Sequence, residues 1–406
     1  MKATVEATRD GSEPAGRGVA RPGVVVVFAA GRAVLAPIAL RGAELAVGRA
    51  TLADLGLDDD SVSRRHARVA FDGRRWAIAD EGSRNGTFAD ADRVSGEHVR
   101  SGVRVLRLGR TVSLLATDLL TFEGGVEVRD GVVVGPSLRS AWSAVERAAR
   151  AGDTVHLVGE TGAGKEIAAR RFHAAGPRPK APFVAVNCAA IPDGLAERLL
   201  FGAVRGAYSG ASTDASGYVQ AADSGTLFLD EVAELDLRVQ SKLLRVLEAR
   251  EVLPLGATKP QPVAIRVCSA THRDLRAAVA EGAFRQDLYF RLGRPDVRIP
   301  PLRERLEEIP HLVARVTADV DARLTPHATT IERCLLLPWP GNVRELVAEV
   351  RRAATEALGA GRTIVMPEDL SASAGAAFAP SAVPDASNRQ DAPSEPPSRE
   401  RIEEAL

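Results

Sequence analysis

The chain has 406 residues, of which 53 are lysine or arginine and 53 are aspartate or glutamate. Because one hydrophobic core stops growing at about 250 to 300 residues, this length predicts two or three domains. The neutral balance excludes the global positive charge typical of dedicated nucleic-acid binders, so any DNA contact would be local. The three cysteines form no metal-binding or disulfide pattern, and no apolar run is long enough to span a membrane. We expect a cytoplasmic protein without a membrane partner.

The first 122 residues contain a polar arm followed by closely spaced strands. Residues 1–23 are rich in glycine, arginine and charge without periodicity, which predicts a disordered arm. Over residues 24–122, short runs such as VVVVF, HARVAF and RWAIAD are separated by glycine, aspartate and asparagine. This pattern predicts an all-β sandwich.

Three pieces of this β region occur in a recognisable order: GR at 48–49, SRRH at 63–66 and DEGSRNGT at 80–87. Together they resemble the forkhead-associated (FHA) domain, a β-sandwich whose loops bind phosphothreonine peptides. A phosphate dianion favours guanidinium, hydroxyl and amide donors that converge from different loops. The phosphopeptide contacts that the resemblance implies are Arg49, Ser63 and Asn85, with Arg64 and Arg84 beside them. His66 matches a residue that braces the loop.

The pattern changes after residues 123–136, which read as a linker with a short hairpin, GGVEVRDGVVVG. From residue 137 onward, helical periods such as SLRSAWSAVERAARAG alternate with buried strands such as VHLVG. This alternation predicts an α/β domain over residues 137–300. A helical period over residues 307–322 opens a smaller helical lobe, assigned to residues 301–370.

The octapeptide GETGAGKE follows the strand VHLVG and opens a helix. Glycines let backbone N–H groups wrap phosphates at a helix N-terminus, and the lysine reaches the β and γ oxygens. The strict pattern has serine or threonine after the lysine to contact Mg²⁺, whereas glutamate stands here. Taken alone, this loop is also compatible with a turn that binds nothing. The expected nucleotide contacts are Gly159, Glu160, Thr161, Gly162, Ala163, Gly164, Lys165 and Glu166.

A second segment, GTLFLDE at 225–231, is an apolar strand that ends in two carboxylates. In phosphoryl transfer, Asp230 suits a role in holding Mg²⁺ through water, and Glu231 suits polarising the attacking water. Alone, the pair is compatible with an ordinary helix cap. Together with the phosphate loop, it predicts an ATPase that requires ATP and Mg²⁺.

Residues 135–370 resemble the AAA+ domain of bacterial enhancer-binding proteins, the ATPases that activate sigma-54 RNA polymerase. The resemblance rests on motifs in the family's order: GETGAGKE, FVAVNCAAIPDGL, LLFGAVRGAYSGA, AADSGTLFLDEVAEL, QSKLLRVLE, FRQDLYFRL, PPLRERLEEI and WPGNVREL. It implies an ATP-driven transcription activator that forms a ring, in this family a hexamer, and contacts sigma-54 RNA polymerase.

The resemblance also implies roles for single residues outside the phosphate loop. Asn187 matches the residue that restrains the catalytic glutamate, and Arg344 matches a sensor arginine that contacts the γ-phosphate. Arg285 and Arg291 match arginine fingers, which act on the ATP of a neighbouring subunit. His272 stands where the family usually has a sensor asparagine, so its protonation would depend on pH near neutrality; a merely tolerated polar residue is the alternative.

The segment RGAYSGAS lies between the phosphate loop and the paired carboxylates, where the family carries its sigma-54 contact loop. Two substitutions separate it from the family motif GAFTGA, because Tyr208 replaces phenylalanine and Ser209 replaces threonine. A phosphopeptide-binding scaffold that no longer engages sigma-54 is therefore the alternative function. The contact residues expected by resemblance are Gly206, Ala207, Tyr208, Ser209, Gly210 and Ala211.

The C-terminal part changes composition again. Residues 371–398 are rich in alanine, serine and proline, which predicts a flexible linker and a disordered tail. Residues 399–406 resemble the first turns of a helix-turn-helix, so a contact with promoter or enhancer DNA is left open. No DNA-reading residue is assigned.

Overall fold

A computed structural model describes residues 20–192, 194–208 and 212–377. The described residues up to Ala376 belong to one compact unit. Most of the predicted N-terminal arm lies outside the described residues, as do Ser209, Gly210 and Ala211 of the contact loop. The predictions for residues 378–406 also lie outside them. The predicted start of the flexible linker at residue 371 is wrong, because Ala374 is buried in the core beside Trp339 and the Gly375 N–H donates to Glu345.

The N-terminal region folds into two antiparallel sheets that pack face to face. Its elements are β1 (Gly23–Ala29), β2 (Arg32–Ala39), β3 (Glu44–Val47), α1 (Arg49–Ala53), β4 (Ala67–Phe71), β5 (Trp76–Asp80), β6 (Thr87–Ala89), β7 (Asp92–Arg93), β8 (Glu97–Arg100), β9 (Val105–Leu108) and β10 (Thr111–Ala116). One sheet has the order β2-β1-β10-β9-β6-β7 and the other the order β3-β4-β5-β8. The predicted all-β sandwich is confirmed.

A hairpin then leads into an α/β region. Its elements are β11 (Glu127–Arg129), β12 (Val132–Val134), α2 (Pro136–Ala151), β13 (Thr154–Val158), α3 (Lys165–Ala174), β14 (Phe183–Asn187), α4 (Ala196–Phe201), α5 (Tyr218–Ala221), β15 (Thr226–Asp230), α6 (Leu237–Ala249), β16 (Glu251–Val252), β17 (Gln261–Pro262), β18 (Arg266–Thr271), α7 (Leu275–Ala280), α8 (Gln286–Leu292) and β19 (Asp296–Arg298). Five of the strands form a parallel sheet in the order β14-β15-β18-β13-β19. The predicted α/β architecture is confirmed.

The helical lobe that follows, here called the lid, comprises α9 (Ile309–Val320), β20 (Thr325–Pro326), α10 (Ala328–Leu336), α11 (Asn342–Gly359) and β21 (Ile364–Val365). Short 3-10 helices occupy Leu119–Phe122, Cys188–Ala190, Val232–Glu234, Leu302–Glu304, Leu306–Glu308 and Pro367–Asp369.

Among the described residues, no helix combines the length and the apolar character that crossing a membrane would require.

The parallel sheet determines where the polar residues meet. The phosphate loop follows the carboxyl end of β13, Asp230 ends β15, and Thr271 ends the adjacent β18. Ligands of open parallel sheets bind at this edge, where the loops after neighbouring strands converge. The fold therefore brings together motifs that are more than 60 residues apart in the chain.

The sandwich packs directly on the lid. Every residue of β1 is buried, because one face of the strand lies in the sandwich core and the other lies against lid helices. The shared core combines Val25, Val27, Phe28 and Val112 of the sandwich with Leu312, Val316, Ile331 and Leu335 of the lid. At its edge, Arg107 on β9 donates to Glu332 on α10 over 2.6 Å, and the Glu332 side chain is only 4% exposed.

Candidate nucleotide and phosphopeptide sites

The phosphate loop lies between β13 and α3 and depends on two glycines. Gly162 and Gly164 have φ angles of +75° and +106°, which side chains rarely adopt. A β-carbon at Gly162 would lie 2.2 Å from the carbonyl oxygen of Gly341 at the start of α11. The loop can therefore curl over the N-terminus of α3 while touching the lid, a geometry that leaves backbone N–H groups available to phosphates.

Lys165, the first residue of α3, lies at the base of a cavity of about 530 Å³. Its ammonium group donates to the carbonyl oxygen of Gly159 over 3.0 Å and to Glu231 Oε1 over 3.4 Å. The lysine is only 6% exposed, so its charge is offset by these oxygens. The cavity is lined by Val132, Leu138, Trp142, residues 161–167, Asn187, Asp230, Glu231, His272, Arg305, Glu308 and Arg344, among others.

The two carboxylates that end β15 differ in their surroundings. Burial would raise the pKa of Glu231, but the hydrogen bond from His272 and the charge of Lys165 outweigh burial and lower it. Asp230 is half-buried beside Glu231, and burial raises its pKa although Lys165 opposes the change. Glu231 is thus held as the carboxylate, which is the form that can accept a proton from water.

Among the described residues, His272 makes the shortest contact with Glu231, which also accepts from Lys165 and Thr271. Its Nδ1 lies 2.8 Å from Glu231 Oε2, and its backbone N–H donates to the same oxygen over 3.3 Å. The sequence reasoning gave the restraining role to Asn187 instead. Asn187 ends β14 beside Asp230, but its Oδ1 accepts from the backbone N–H of Ala189 and caps a short 3-10 helix. The expected pairing of Asn187 with Glu231 is not made in this structure.

The donor set fits a nucleotide with a hydrated Mg²⁺. Asp230 and Glu231 supply the carboxylate oxygens that Mg²⁺ prefers, across the cavity from the phosphate loop. Glu166 occupies the position of the usual hydroxyl ligand, but its carboxylate pairs with Arg170 one helical turn later, over 2.7 Å. Asp230 is therefore better placed than Glu166 to hold the ion.

Two buried charged residues next to the phosphate loop escaped the sequence reasoning. Arg305 donates to Glu308 over 2.9 Å and to the carbonyl oxygen of Ala163 over 3.0 Å, and both charged side chains are almost inaccessible. Glu308 also accepts from the backbone N–H of Gly135, which precedes α2. The pair therefore fastens the loop to the start of the α/β region. The sequence feature that contains this pair is the charged run RERLEE at 303–308, which is typical of a solvated surface segment.

The predicted phosphopeptide residues lie on two adjoining loops of the sandwich and at the start of α1, where Arg49 is the first residue. Arg49 donates to the carbonyl oxygens of Val62 over 2.9 Å and Asp60 over 2.8 Å, so its guanidinium is already engaged within the domain. Ser63 Oγ accepts from the backbone N–H of Arg84 over 3.1 Å. The Arg64 and Arg84 side chains are exposed at the same surface.

A buried histidine holds these two loops together. His66 Nδ1 accepts from the backbone N–H of Ser63 over 3.0 Å, so Nε2 carries the proton and donates to the carbonyl oxygen of Gly86 over 3.1 Å. Burial lowers the pKa of His66, which favours the neutral ring that this arrangement requires. Asn85 Nδ2 donates to the carbonyl oxygen of Ser61 over 2.7 Å and closes the same junction.

Comparisons with known proteins agree with this geometry. Family profiles match residues 132–298 as a "Sigma-54 interaction domain", residues 45–109 as an "FHA domain" and residues 303–382 as an "AAA+ ATPase lid domain". The chain therefore combines an FHA domain, a sigma-54 interaction domain and an AAA+ lid domain. Its α/β region is thus of the AAA+ ATPase class, and its sandwich is an FHA domain.

Individual relatives match more than half of this chain. The response regulator protein PilR of Pseudomonas aeruginosa is 43% identical over 61% of this chain and 58% of its own length. The nitric oxide reductase transcription regulator NorR2 of Cupriavidus necator is 40% identical over 73% of this chain and 61% of its own. The chain thus spans about three fifths of the length of these two relatives.

Solved structures of NtrX from Brucella abortus share the fold. One is 33% identical, with a TM-score of 0.55, over 60% of this chain and 56% of that chain. A second, in complex with ATP, is 31% identical, with a TM-score of 0.53, over 61% of this chain and 56% of that chain.

The arginines assigned as fingers lie outside the AAA+ cavity of their own chain. Arg285 precedes α8 and pairs with Asp287 over 2.6 Å, and Arg291 on the same helix donates to the carbonyl oxygen of Leu247 over 3.1 Å. Arg344 on α11, by contrast, lines the cavity from the lid side. The structure therefore brings residues 161–166, His272 and Arg344 together around the cavity. Gly159 and Glu160 belong to the same loop but do not line the cavity, because the Glu160 carboxylate pairs with Arg303. The two arginines expected to act on a neighbour lie apart from this set.

The described part of the sigma-54 contact loop ends at an exposed aromatic ring. Tyr208 is 38% exposed, and the guanidinium carbon of Arg198 on α4 lies 4.9 Å from the centre of its ring. Gly206 has a φ of +81°, so the turn before the ring relies on glycine. The ring is accessible to another molecule while one of its faces is supported.

Proposed function

We propose that this chain hydrolyses ATP to activate transcription by sigma-54 RNA polymerase. The observation that carries the proposal is the meeting of Lys165, Asp230 and Glu231 in one cavity, beneath a glycine loop, within a sigma-54 interaction domain. An NtrX structure described as an ATP complex shares this fold and supports ATP as the ligand.

The residues of the cavity divide the chemistry of ATP hydrolysis between them. Lys165 would exchange its weak contact with Glu231 for the β and γ oxygens of ATP, and the glycine loop would donate backbone N–H groups. Glu231, which is kept ionised and oriented by His272, would polarise the attacking water. Mg²⁺, held by Asp230 through water, would neutralise phosphate charge when bound.

We also propose that the chain assembles into a ring, and the placement of the arginines supports this. Since Arg285 and Arg291 do not line the cavity of their own chain, we propose that they complete the site of a neighbouring copy. A cation supplied in this way stabilises charge that develops on the γ-phosphate. The proposed assembly is a hexamer.

The FHA domain would add regulation by a phosphothreonine-containing protein. The exposed Arg64 and Arg84 side chains, the Ser63 hydroxyl and the Asn85 amide lie on adjoining loops, and such donors suit a phosphate dianion. Arg49 would join them after one of its hydrogen bonds to a backbone carbonyl oxygen is broken. The phosphorylated residue would lie in another protein or in a neighbouring copy.

Two measurements on the purified chain test the activator function. ATP turnover with Mg²⁺ should fall at least about 100-fold in Glu231→Gln, because the carboxylate that polarises water is lost. Sigma-54 should be captured with ADP plus aluminium fluoride but not with ADP alone. The matched variant Tyr208→Ala should hydrolyse ATP and lose that capture. Hydrolysis without any nucleotide-dependent capture by the unaltered chain would favour a phosphopeptide-binding scaffold instead.

A further inference from the structure

Asn342, the first residue of α11, joins the lid to the phosphate loop through a buried side chain. Its Nδ2 donates to Glu160 Oε2 over 3.1 Å and to the carbonyl oxygen of Thr161 over 3.0 Å. Its Oδ1 accepts from the backbone N–H of Leu302 over 2.8 Å. One amide thus connects the phosphate loop, the segment that enters the lid, and the start of α11.

The partner of this amide is itself anchored. Arg303 donates to both oxygens of Glu160, over 2.7 and 2.6 Å. That bidentate hydrogen bond lowers the pKa of Glu160 despite partial burial, and the Asn342 amide lowers it further. The glutamate of the phosphate loop is therefore held as a carboxylate between two donors from the lid side.

The backbone at Asn342 limits which residue can take this place. Its φ is +54°, a left-handed conformation that glycine and asparagine tolerate better than other residues. Of these two, only asparagine can donate and accept hydrogen bonds at the same time. The residue therefore satisfies the backbone and the three-way contact together.

We propose that Asn342 is a positioning residue, which fixes the start of α11 on the phosphate loop and so sets where Arg344 stands against the γ-phosphate. Arg344 lies two residues later, and its β-carbon would be 3.1 Å from a β-carbon at Gly162. A small rotation of α11 would therefore move the guanidinium relative to the loop. This inference rests on the proposed ATPase function.

The test removes the amide without straining the backbone, because Asn342→Gly keeps the left-handed conformation accessible. Its kcat for ATP should fall about tenfold, while its KM changes less than about threefold. Misplaced groups reduce the stabilisation of the transition state more than they reduce the affinity for ATP. In a variant that already carries Arg344→Ala, Asn342→Gly should lower kcat less than about twofold, because the group that Asn342 positions is already absent.

Further variants keep the test decisive. Asn342→Asp retains the acceptor for Leu302 but loses the donors and places a second carboxylate near Glu160, so Glu160→Gln should partly rescue it. If Asn342→Gly does not fold, Asn342→Asp and its partial rescue by Glu160→Gln carry the test instead, and the absence of any fall in kcat in a folded Asn342→Asp variant would overturn the proposal. Unchanged kcat in Asn342→Gly, or full additivity with Arg344→Ala, would overturn the proposal. An unaltered chain without ATP turnover would instead overturn the proposed function.

Discussion

The molecule contains two candidate phosphate sites that are built in opposite ways. The nucleotide site is a partly enclosed cavity whose central cation, Lys165, is buried and balanced by Glu231. The FHA site is an open surface of two loops, where Arg64 and Arg84 point into solvent. In the first, α/β and lid residues surround the ligand, whereas in the second a single sandwich presents its loops.

This difference indicates how each site would discriminate its ligand. A buried lysine gains a strong interaction from phosphate because little water competes, so each group in the cavity matters greatly. Exposed arginines are screened by water and salt, so their single contributions are small and their number matters more. Both sites belong to regions that contact the lid, because the FHA domain packs on α10 and the phosphate loop touches the start of α11.

The largest effect of a single substitution is expected where the FHA domain joins the lid. Glu332→Ala removes the partner of Arg107, leaving a charge that is only 11% exposed without its carboxylate. We expect the free energy of unfolding to fall by about 3–5 kcal/mol, measured by urea denaturation. Asp92→Ala is the matched control, because its pair with Arg100 is exposed and should contribute less than about 1 kcal/mol. Equal effects of the two variants would refute a tightly packed junction.

The next effect concerns the enclosed site. Lys165→Ala should lower ATP turnover at least about 100-fold, because the cation that faces the phosphates is lost from a region of low dielectric constant. The affinity of the same variant for a phosphothreonine peptide, measured by fluorescence polarisation, should stay unchanged. Turnover within tenfold of the unaltered chain would contradict the role given to this lysine.

The smallest effect is expected at the open site. Arg84→Ala should weaken binding of a phosphothreonine peptide about fivefold, and raising the salt concentration should narrow the difference. Arg74→Ala removes an equally exposed arginine from another turn of the sandwich and should leave affinity unchanged. Equal losses in both variants would mean that overall charge, rather than the two loops, attracts the peptide.

The sequence was sufficient for the parts of the molecule that obey local rules. The alternating runs of the sandwich predicted its strands, and the glycine loop between a strand and a helix predicted the nucleotide cavity around Lys165. These features depend on backbone conformation and on spacing along the chain, both of which a sequence displays directly.

Contacts between distant segments were missed. Nothing near Asn342 in the sequence points to Glu160, because the two residues meet only in the folded structure, where the lid packs on the phosphate loop. Arg305 and Glu308 resembled a solvated charged segment, yet they are buried. The assignment of Asn187 as partner of Glu231 came from resemblance, and the structure places the ring of His272 nearer to that carboxylate. Burial and pairing of charges depend on the tertiary fold, which periodicity does not encode.

The core shared by the FHA domain and the lid also affects how such proteins can be recombined. A domain border drawn after residue 122 passes beside β1 and β10, whose outer faces depend on α9 and α10 for cover. Cutting there would expose the valines of β1 and β10 that pack on the lid, and it would separate Arg107 from Glu332. A chimaera in which another domain replaces this FHA domain should therefore also include the lid surface that matches the new domain.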